Sequence, residues 1–222
     1  LGKNKNLMSR SLVYNRLKEL GFSPQTSIDC GACQGEWSGL IRNIYPETYI
    51  VGVDANDWNG NGSFPHVDIS EIQVLSDKND EEVIFYKKIE GHCTGDSIFK
   101  ENTFHYDSQR LVEQKRITKT LKYICNKNHI VKIDLLKLDT QGSEIVIMNG
   151  LEEMLYNIDF IEIECSLVEW NIGGCMIHDV IDYMKNRFEI FDIIEFHRLS
   201  NNDLIQIDIL FKNKNSKINK PL

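Results

Sequence analysis

From Thr26 to Arg187 the chain alternates short apolar runs of strand length with stretches of helical period. "TSIDC" (26–30) reads as a buried strand, followed by a glycine turn and a helix from about Glu36 to Ile44. "TYIVGVDA" (48–55) is a second strand and "DISEIQVLS" (68–76) a third, before "EEVIFYKK" (81–88), a half-exposed strand. "RITKTLKYICNKN" (116–128) reads as a strand end running into a helix. "IDLLKLDT" (133–140) and "IDFIEIEC" (158–165) are strands, each followed by a helix, at 143–155 and 176–187. Such alternation folds into a largely parallel, doubly wound α/β sheet. The ending differs: "FEIFDIIEF" (188–196) and "LIQIDILF" (204–211) flank a short turn at "LSNND". A parallel return needs a crossover of about a dozen residues, so these two are antiparallel. The expected sheet is therefore mostly parallel, with an antiparallel last strand closing its edge.

Ahead of the sheet, residues 8–20 place Met8, Leu12, Val13, Leu17 and Leu20 on one helical face, with Gly21 as the stop. With 222 residues and no long linker, one domain over 1–222 is the expectation. It comprises a helix at about 7–20, a core at about 26–212 and a frayed polar tail at 213–222.

The net charge of −8 makes the chain a poor partner for nucleic acid. No apolar run approaches the roughly 18–20 residues of a membrane span. "LGKNKNLMSR" lacks the apolar segment of a signal peptide, though a chain that does not start with Met leaves a removed targeting segment open. The six cysteines are scattered, as free thiols in a reducing cytoplasm would be.

The most informative stretch is "SIDCGACQGEWSGL" (27–40). Cys30-Gly31-Ala32-Cys33 has the spacing of a redox dithiol or half a zinc site. No second close pair of cysteines supports zinc. A thiol-disulfide function stays open, because Cys33 would stand near a helix N-terminus that lowers its pKa. The glycine reading uses more residues. Gly31 lets the backbone leave the strand, and Gly35 leaves room for a ligand ahead of a helix N-terminus. Asp29, at the first position of D-x-G-x-x-x-G, would repel the pyrophosphate of a nicotinamide dinucleotide and would suit a cationic ligand. S-adenosylmethionine, with an ammonium and a sulfonium, is such a ligand. Asp54, ending the second strand, is placed to take both ribose hydroxyls.

The blocks "IDCGACQGEWS", "VLSDKNDEEVIFY", "LLKLDTQGSEIVIMNG" and "DFIEIECSLVEW" resemble the FkbM family of S-adenosylmethionine-dependent methyltransferases, over roughly Ser27 to Lys212. The resemblance implies a Rossmann-like class I methyltransferase fold with seven strands. It also implies O-methylation of a sugar or of a glycosylated or polyketide small molecule. Asp29, Gly31, Ala32, Gly35 and Ser38 would line the methionine end of the cofactor. Asp54 would hold the ribose, and Ser76 and Asp77 would approach the adenine. Here the second strand ends Asp54-Ala55 where the family commonly has Glu-Pro.

For the acceptor side, Asp139 at the end of "LLKLD" is the leading candidate for catalysis. Glu162 and Glu164 alternate along one strand and share a face, Glu164 lying nearer its end. His197 in "EFHRL", just after the strand at 188–196, could act as base, oxyanion partner or metal ligand, and Asp139, Glu164 and His197 could jointly hold a divalent cation such as Mg. The polar stretch 89–110, carrying Phe99, Phe104, His105 and Tyr106, reads as a lid over a small-molecule or glycan acceptor. A non-catalytic cofactor-binding module is the alternative from another functional class.

Overall fold

Burying a strand on both faces requires a residue on each side of the pleat that finds a partner, and this chain solves the two sides differently. The computed structural model describes residues 4–89, 95–103 and 111–218, with side chains in the first helix from Arg10 onward. In chain order the elements begin with α1 (Asn4–Glu19), β1 (Thr26–Cys30), α2 (Glu36–Ile44) and β2 (Tyr49–Asp54). Then come β3 (Ile69–Ile72), β4 (Val74–Leu75), β5 (Glu82–Lys88), β6 (Leu111–Lys119) and α3 (Leu121–Lys127). The last are β7 (Leu135–Leu138), α4 (Glu144–Asn149), β8 (Phe160–Ser166), α5 (Ile177–Met184), β9 (Phe188–Arg198) and β10 (Leu204–Asn213).

Seven strands form one sheet in the order β3-β2-β1-β7-β8-β10-β9, with β10 antiparallel to both neighbours and the other pairings parallel. This is the expected class I methyltransferase architecture. The antiparallel strand, however, does not close the edge. It lies one place inside, and β9 forms the edge. The segment read as one third strand (68–76) is two strands. It breaks at Gln73, whose N–H bonds Asp54 O at 2.8 Å, and β4 joins a separate three-stranded sheet, β4-β6-β5. The helix expected over 143–155 stops at Asn149 and continues as a 3₁₀ turn from Glu152.

One face of the main sheet is apolar across its central strands. Ile28, Cys30, Leu136, Leu138, Ile161 and Ile163 pack against Leu121, Ile124, Ile147, Met148, Val180 and Met184 from the helices α3, α4 and α5. The opposite face begins in the same way, with Ile50, Leu135, Phe160 and Leu210 under Val13, Tyr14 and Leu17 of α1 and Trp37 and Ile41 of α2. Leu12 points outward at 66% exposure, and Tyr14 takes the buried position instead, which corrects the apolar stripe expected for α1.

One pleat further along that second face the residues become charged. Asp29, Lys137 and Glu162 stand in register across β1, β7 and β8, all three buried. Buried charges require partners. Glu162 accepts hydrogen bonds from Arg10 Nε and Trp37 Nε1, both at 2.9 Å, and from the Tyr14 hydroxyl. The two helices on this face thus cover a polar row that leads toward the carboxyl ends of the strands. Among the described residues no helix is long and apolar enough to cross a membrane.

Candidate active site

At those carboxyl ends the polar row opens into a cavity of about 580 Å³. Its first wall is the turn after β1. Gly31 adopts φ 83°, and a Cβ there would sit 1.9 Å from Asp139 O, so the turn runs against the end of β7. Gly31 N–H donates to Val53 O at 2.9 Å and Cys33 N–H to Asp54 Oδ2 at 2.9 Å. Asp54 therefore holds the glycine turn in place as well as facing the cavity. Burial raises its pKa, while the N–H groups of Asn56 and Cys33 oppose that rise. Gly35, at φ 74°, opens α2, where a Cβ would lie 2.5 Å from Pro65 O.

Of the residues anticipated for the cofactor, Gly31 and Asp54 line the cavity. Asp29, Ala32, Gly35 and Ser38 stand behind the wall. Asp29 is buried and accepts the Ser38 hydroxyl at 2.7 Å, so its first role is to anchor the start of α2 beneath the turn. Ser76 and Asp77 bond each other, with Ser76 O packed against Gly150, and the cavity is lined instead by Gln73, Val74 and Leu75 just before them.

The cavity has an unsatisfied group that suits a polar cofactor. Asn56 Oδ1, from a lining residue, has no hydrogen-bond partner in the protein. That buried acceptor, the Asp54 carboxyl and the glycine cradle fit a ligand with hydroxyl and amino groups, such as S-adenosylmethionine.

Burial counts against the thiol reading. Cys30 is fully buried and its thiol is pushed well up, by burial first and then by Asp29. Burial, with Asp54 close by, pushes Cys33 up to about 11, the reverse of what a helix N-terminus was expected to do. Neither forms a thiolate readily at neutral pH.

At the far end stand Asp139, Glu164 and His197, together as anticipated, with companions that were not. Asp139 accepts Lys137 Nζ at 2.7 Å and Gln141 Nε2 at 3.1 Å. Burial alone would raise Asp139, but the Lys137 ammonium overrides it and holds the carboxyl below the usual range. Glu164, buried and next to the charges of Asp139 and Asp208, is raised well above that range, and in its neutral form it donates to Asp139. Gln141 Nε2 and Gln206 Nε2 donate to Glu164 Oε2 at 2.6 and 3.0 Å. Gln141 holds φ 56°, a strained conformation for a residue with a side chain, kept in place by the Ser97 hydroxyl on its carbonyl.

His197 lies within β9 rather than after it. Its Nε2 is 3.4 Å from Asp208 Oδ2 and 3.8 Å from Glu164 Oε1. Burial, the largest single influence, lowers its pKa, but Asp208, Glu195 and Asp139 together outweigh it and the net shift is upward. Glu164, His197 and Asp208 bring one donor atom each within 4.8 Å of one another. Within that set Asp208 Oδ2 accepts Arg10 Nη2 and Glu164 Oε2 accepts two amides, so a guanidinium already supplies positive charge at this place.

Of the anticipated lid, 90–94 and 104–110 lie outside the described residues, and with them Phe104, His105 and Tyr106. The described part supplies cavity wall, including Asp96, Ser97 and Glu101, with Trp170 alongside. Arg10, Gln141, Gln206 and Asp208 were not anticipated. Polar residues inside the apolar run "LIQIDILF" were the available signal for the last two.

The sequence family described as the methyltransferase FkbM domain matches residues 29–191. No curated protein matches the sequence. Similar solved structures include N-methyltransferase NodS from Bradyrhizobium japonicum WM9 in complex with S-adenosyl-L-homocysteine, at 10% identity and TM-score 0.47, covering 96% of this chain and 90% of that one. Another is precorrin-6y C5,15-methyltransferase from Geobacter metallireducens GS-15, at 9% identity and TM-score 0.44, covering 92% and 88%. The small RNA methyltransferase HEN1 matches at 12% identity and TM-score 0.41, over 97% of this chain and 26% of that one.

Proposed function

The chain belongs to the FkbM methyltransferase family, and from that premise we propose that it O-methylates a sugar or a glycosylated or polyketide small molecule, with S-adenosylmethionine as methyl donor. The donor, when bound, supplies an electrophilic methyl group on a sulfonium. Asp54 holds the glycine turn and takes the ribose, with Asn56 beside it. Asp139, kept ionised by Lys137, presents negative charge toward the cationic end of the donor.

A hydroxyl acceptor must lose its proton as its oxygen bonds the methyl carbon and the carbon–sulfur bond breaks. His197 is the group assigned to that proton. Asp208 is acceptor-only when ionised, so neutral His197 turns Nε2–H toward it and keeps Nδ1 free as the basic nitrogen. Neutral Glu164, tied by two amides, adds a hydrogen-bonding group beside the base. Positioning supplies the remainder of the acceleration. A cytoplasmic location belongs to the same reading, supported by the free thiols at Cys30, Cys33, Cys125, Cys165 and Cys175.

The observation that carries this reading is the joining, in one cavity, of the Asp54-braced glycine turn to the Asp139–Glu164–His197 cluster. The test is calorimetric titration of S-adenosylhomocysteine, followed by mass-spectrometric screening of neutral glycosides for a gain of one methyl group. Micromolar binding with a methylated ether product supports it. Binding without turnover on any acceptor favours the non-catalytic module, and methylation confined to amines overturns the hydroxyl assignment.

A further inference from the structure

Arg10 and His197 meet at one atom. Asp208 Oδ2 accepts Arg10 Nη2 and is also the oxygen 3.4 Å from His197 Nε2. Arg10 comes from α1, outside the strand–turn–helix core that carries the glycine turn, and reaches across to three strands. Its Nε bonds Glu162 of β8 at 2.9 Å, and its Nη2 meets Glu195 of β9 at 3.0 Å besides Asp208 of β10. The side chain is mostly buried, so the contact is desolvated and a hydrated surface pair would be weaker.

The charges around His197 explain why such a cation matters. Carboxyl groups face the ring from every strand packed near it: Asp208 from β10, Glu164 from β8, Glu195 from its own β9 and Asp139 from the end of β7. Left alone, the ionised ones, Asp208, Glu195 and Asp139, would favour the imidazolium, which has no lone pair for a hydroxyl proton. Arg10 is the guanidinium that draws on the nearest of them.

We propose that Arg10 is a positioning residue that shares the Asp208 carboxylate with His197, fixing the ring and limiting how far the surrounding carboxylates favour its imidazolium over the basic, neutral form. The proposal rests on His197 being the base. It assigns the N-terminal helix a part in the chemistry, beyond covering the sheet. Arg10 acts here through Asp208 rather than on the acceptor proton.

The two halves of this arrangement pull His197 in opposite directions, which a purely structural role would not do. Histidine carbon–proton resonances are followed by NMR against pH in the full chain, with His197→Gln identifying the signal. Arg10→Gln is expected to raise the His197 midpoint by about one pH unit, the scale of losing an opposing charge at short range. Arg10→Lys should give a smaller rise, because it keeps the charge without the planar fork. Asp208→Asn should lower the midpoint. Calorimetric binding of S-adenosylhomocysteine checks that each variant is folded. If Arg10→Gln does not fold, Arg10→Lys and Asp208→Asn decide the matter by shifting in opposite directions. An unchanged or lowered midpoint in the arginine variants overturns the proposal. Methyl transfer that persists in His197→Gln would instead remove the base role, while the shared carboxylate could still show in the titration.

Discussion

Asp139 and Glu164, beyond β7 and within β8, are bridged by a single amide: Gln141 Nε2 donates to Asp139 Oδ1 at 3.1 Å and to Glu164 Oε2 at 2.6 Å. Two neighbouring carboxyls, one 31% and the other 10% exposed, favour holding a single charge between them. Lys137 decides between them. Its ammonium lies on Asp139, so the proton goes to Glu164.

That division predicts a pH-dependent stability. Glu164 has a folded pKa raised above its unfolded value, so its contribution is present below about pH 4 and is lost as pH rises through the folded pKa. Glu164→Gln keeps a neutral donor to Asp139 and removes the loss. Urea unfolding should show the variant gaining on the wild type by roughly 1 kcal/mol or more between pH 5 and pH 8. A difference that does not change with pH would mean that Glu164 is ionised in the fold.

Asp54 braces the turn and faces the cavity, so its removal should cost binding twice over. Asp54→Ala is expected to weaken S-adenosylhomocysteine binding about tenfold or more, the scale of lost charge-assisted hydrogen bonds. Calorimetry measures this directly, and wild-type affinity in the variant would move the ribose site elsewhere.

Gly31 has no room for a side chain and no relaxed conformation for one. Gly31→Ala must displace the Asp139 carbonyl at the end of β7. It should lower stability by about 2 kcal/mol or more and abolish measurable binding of S-adenosylhomocysteine. Unaltered unfolding and binding would show that the turn is looser than its contacts imply.

Cys33 lines the cavity, but nothing in its surroundings activates it. Cys33→Ser should leave S-adenosylhomocysteine affinity within about twofold of wild type, a few tenths of a kcal/mol. Thiol-specific labelling at pH 7 should find Cys30 unreactive. Rapid modification of Cys30, or loss of function with serine at 33, would reopen the dithiol reading.

Glu162 serves three donors from two helices. Glu162→Leu leaves Arg10, Tyr14 and Trp37 without that partner and should cost roughly 3–5 kcal/mol, as breaking a buried ion pair does. Tyr14→Phe, which removes one donor, should cost about 1 kcal/mol. Equal costs in thermal or urea unfolding would mean the network is not shared as described.

Much of this was legible along the chain, because the signals were local. The strand at 26–30 and the helix from Glu36 to Ile44 follow from four buried positions, two glycines and an amphipathic run, all within twenty residues. The hairpin of β9 and β10 follows from a connection too short for a crossover. Asp54, Asp139 and Glu164 were found because polar residues at the ends of parallel strands face the cleft where such sheets bind ligands. The break at Gln73 is not legible locally, because "EIQVL" carries no glycine or proline to mark it and only the second sheet, recruiting Val74 and Leu75, divides it.

The sequence by itself therefore determined which segments are strands, which turn opens toward a ligand and which acids end the strands, since each depends on neighbours a few residues away. Only the tertiary structure decided how the buried charges are satisfied. Arg10 and Asp208 are 198 positions apart and Tyr14 and Glu162 are 148 apart, and no periodicity links either pair. The strand order decides both, by placing β10 between β8 and β9 and laying α1 across them, which brings a guanidinium to the carboxylate that also faces His197. The physical reason is desolvation: a buried charge must be matched by whatever the fold brings within reach, however distant in the chain.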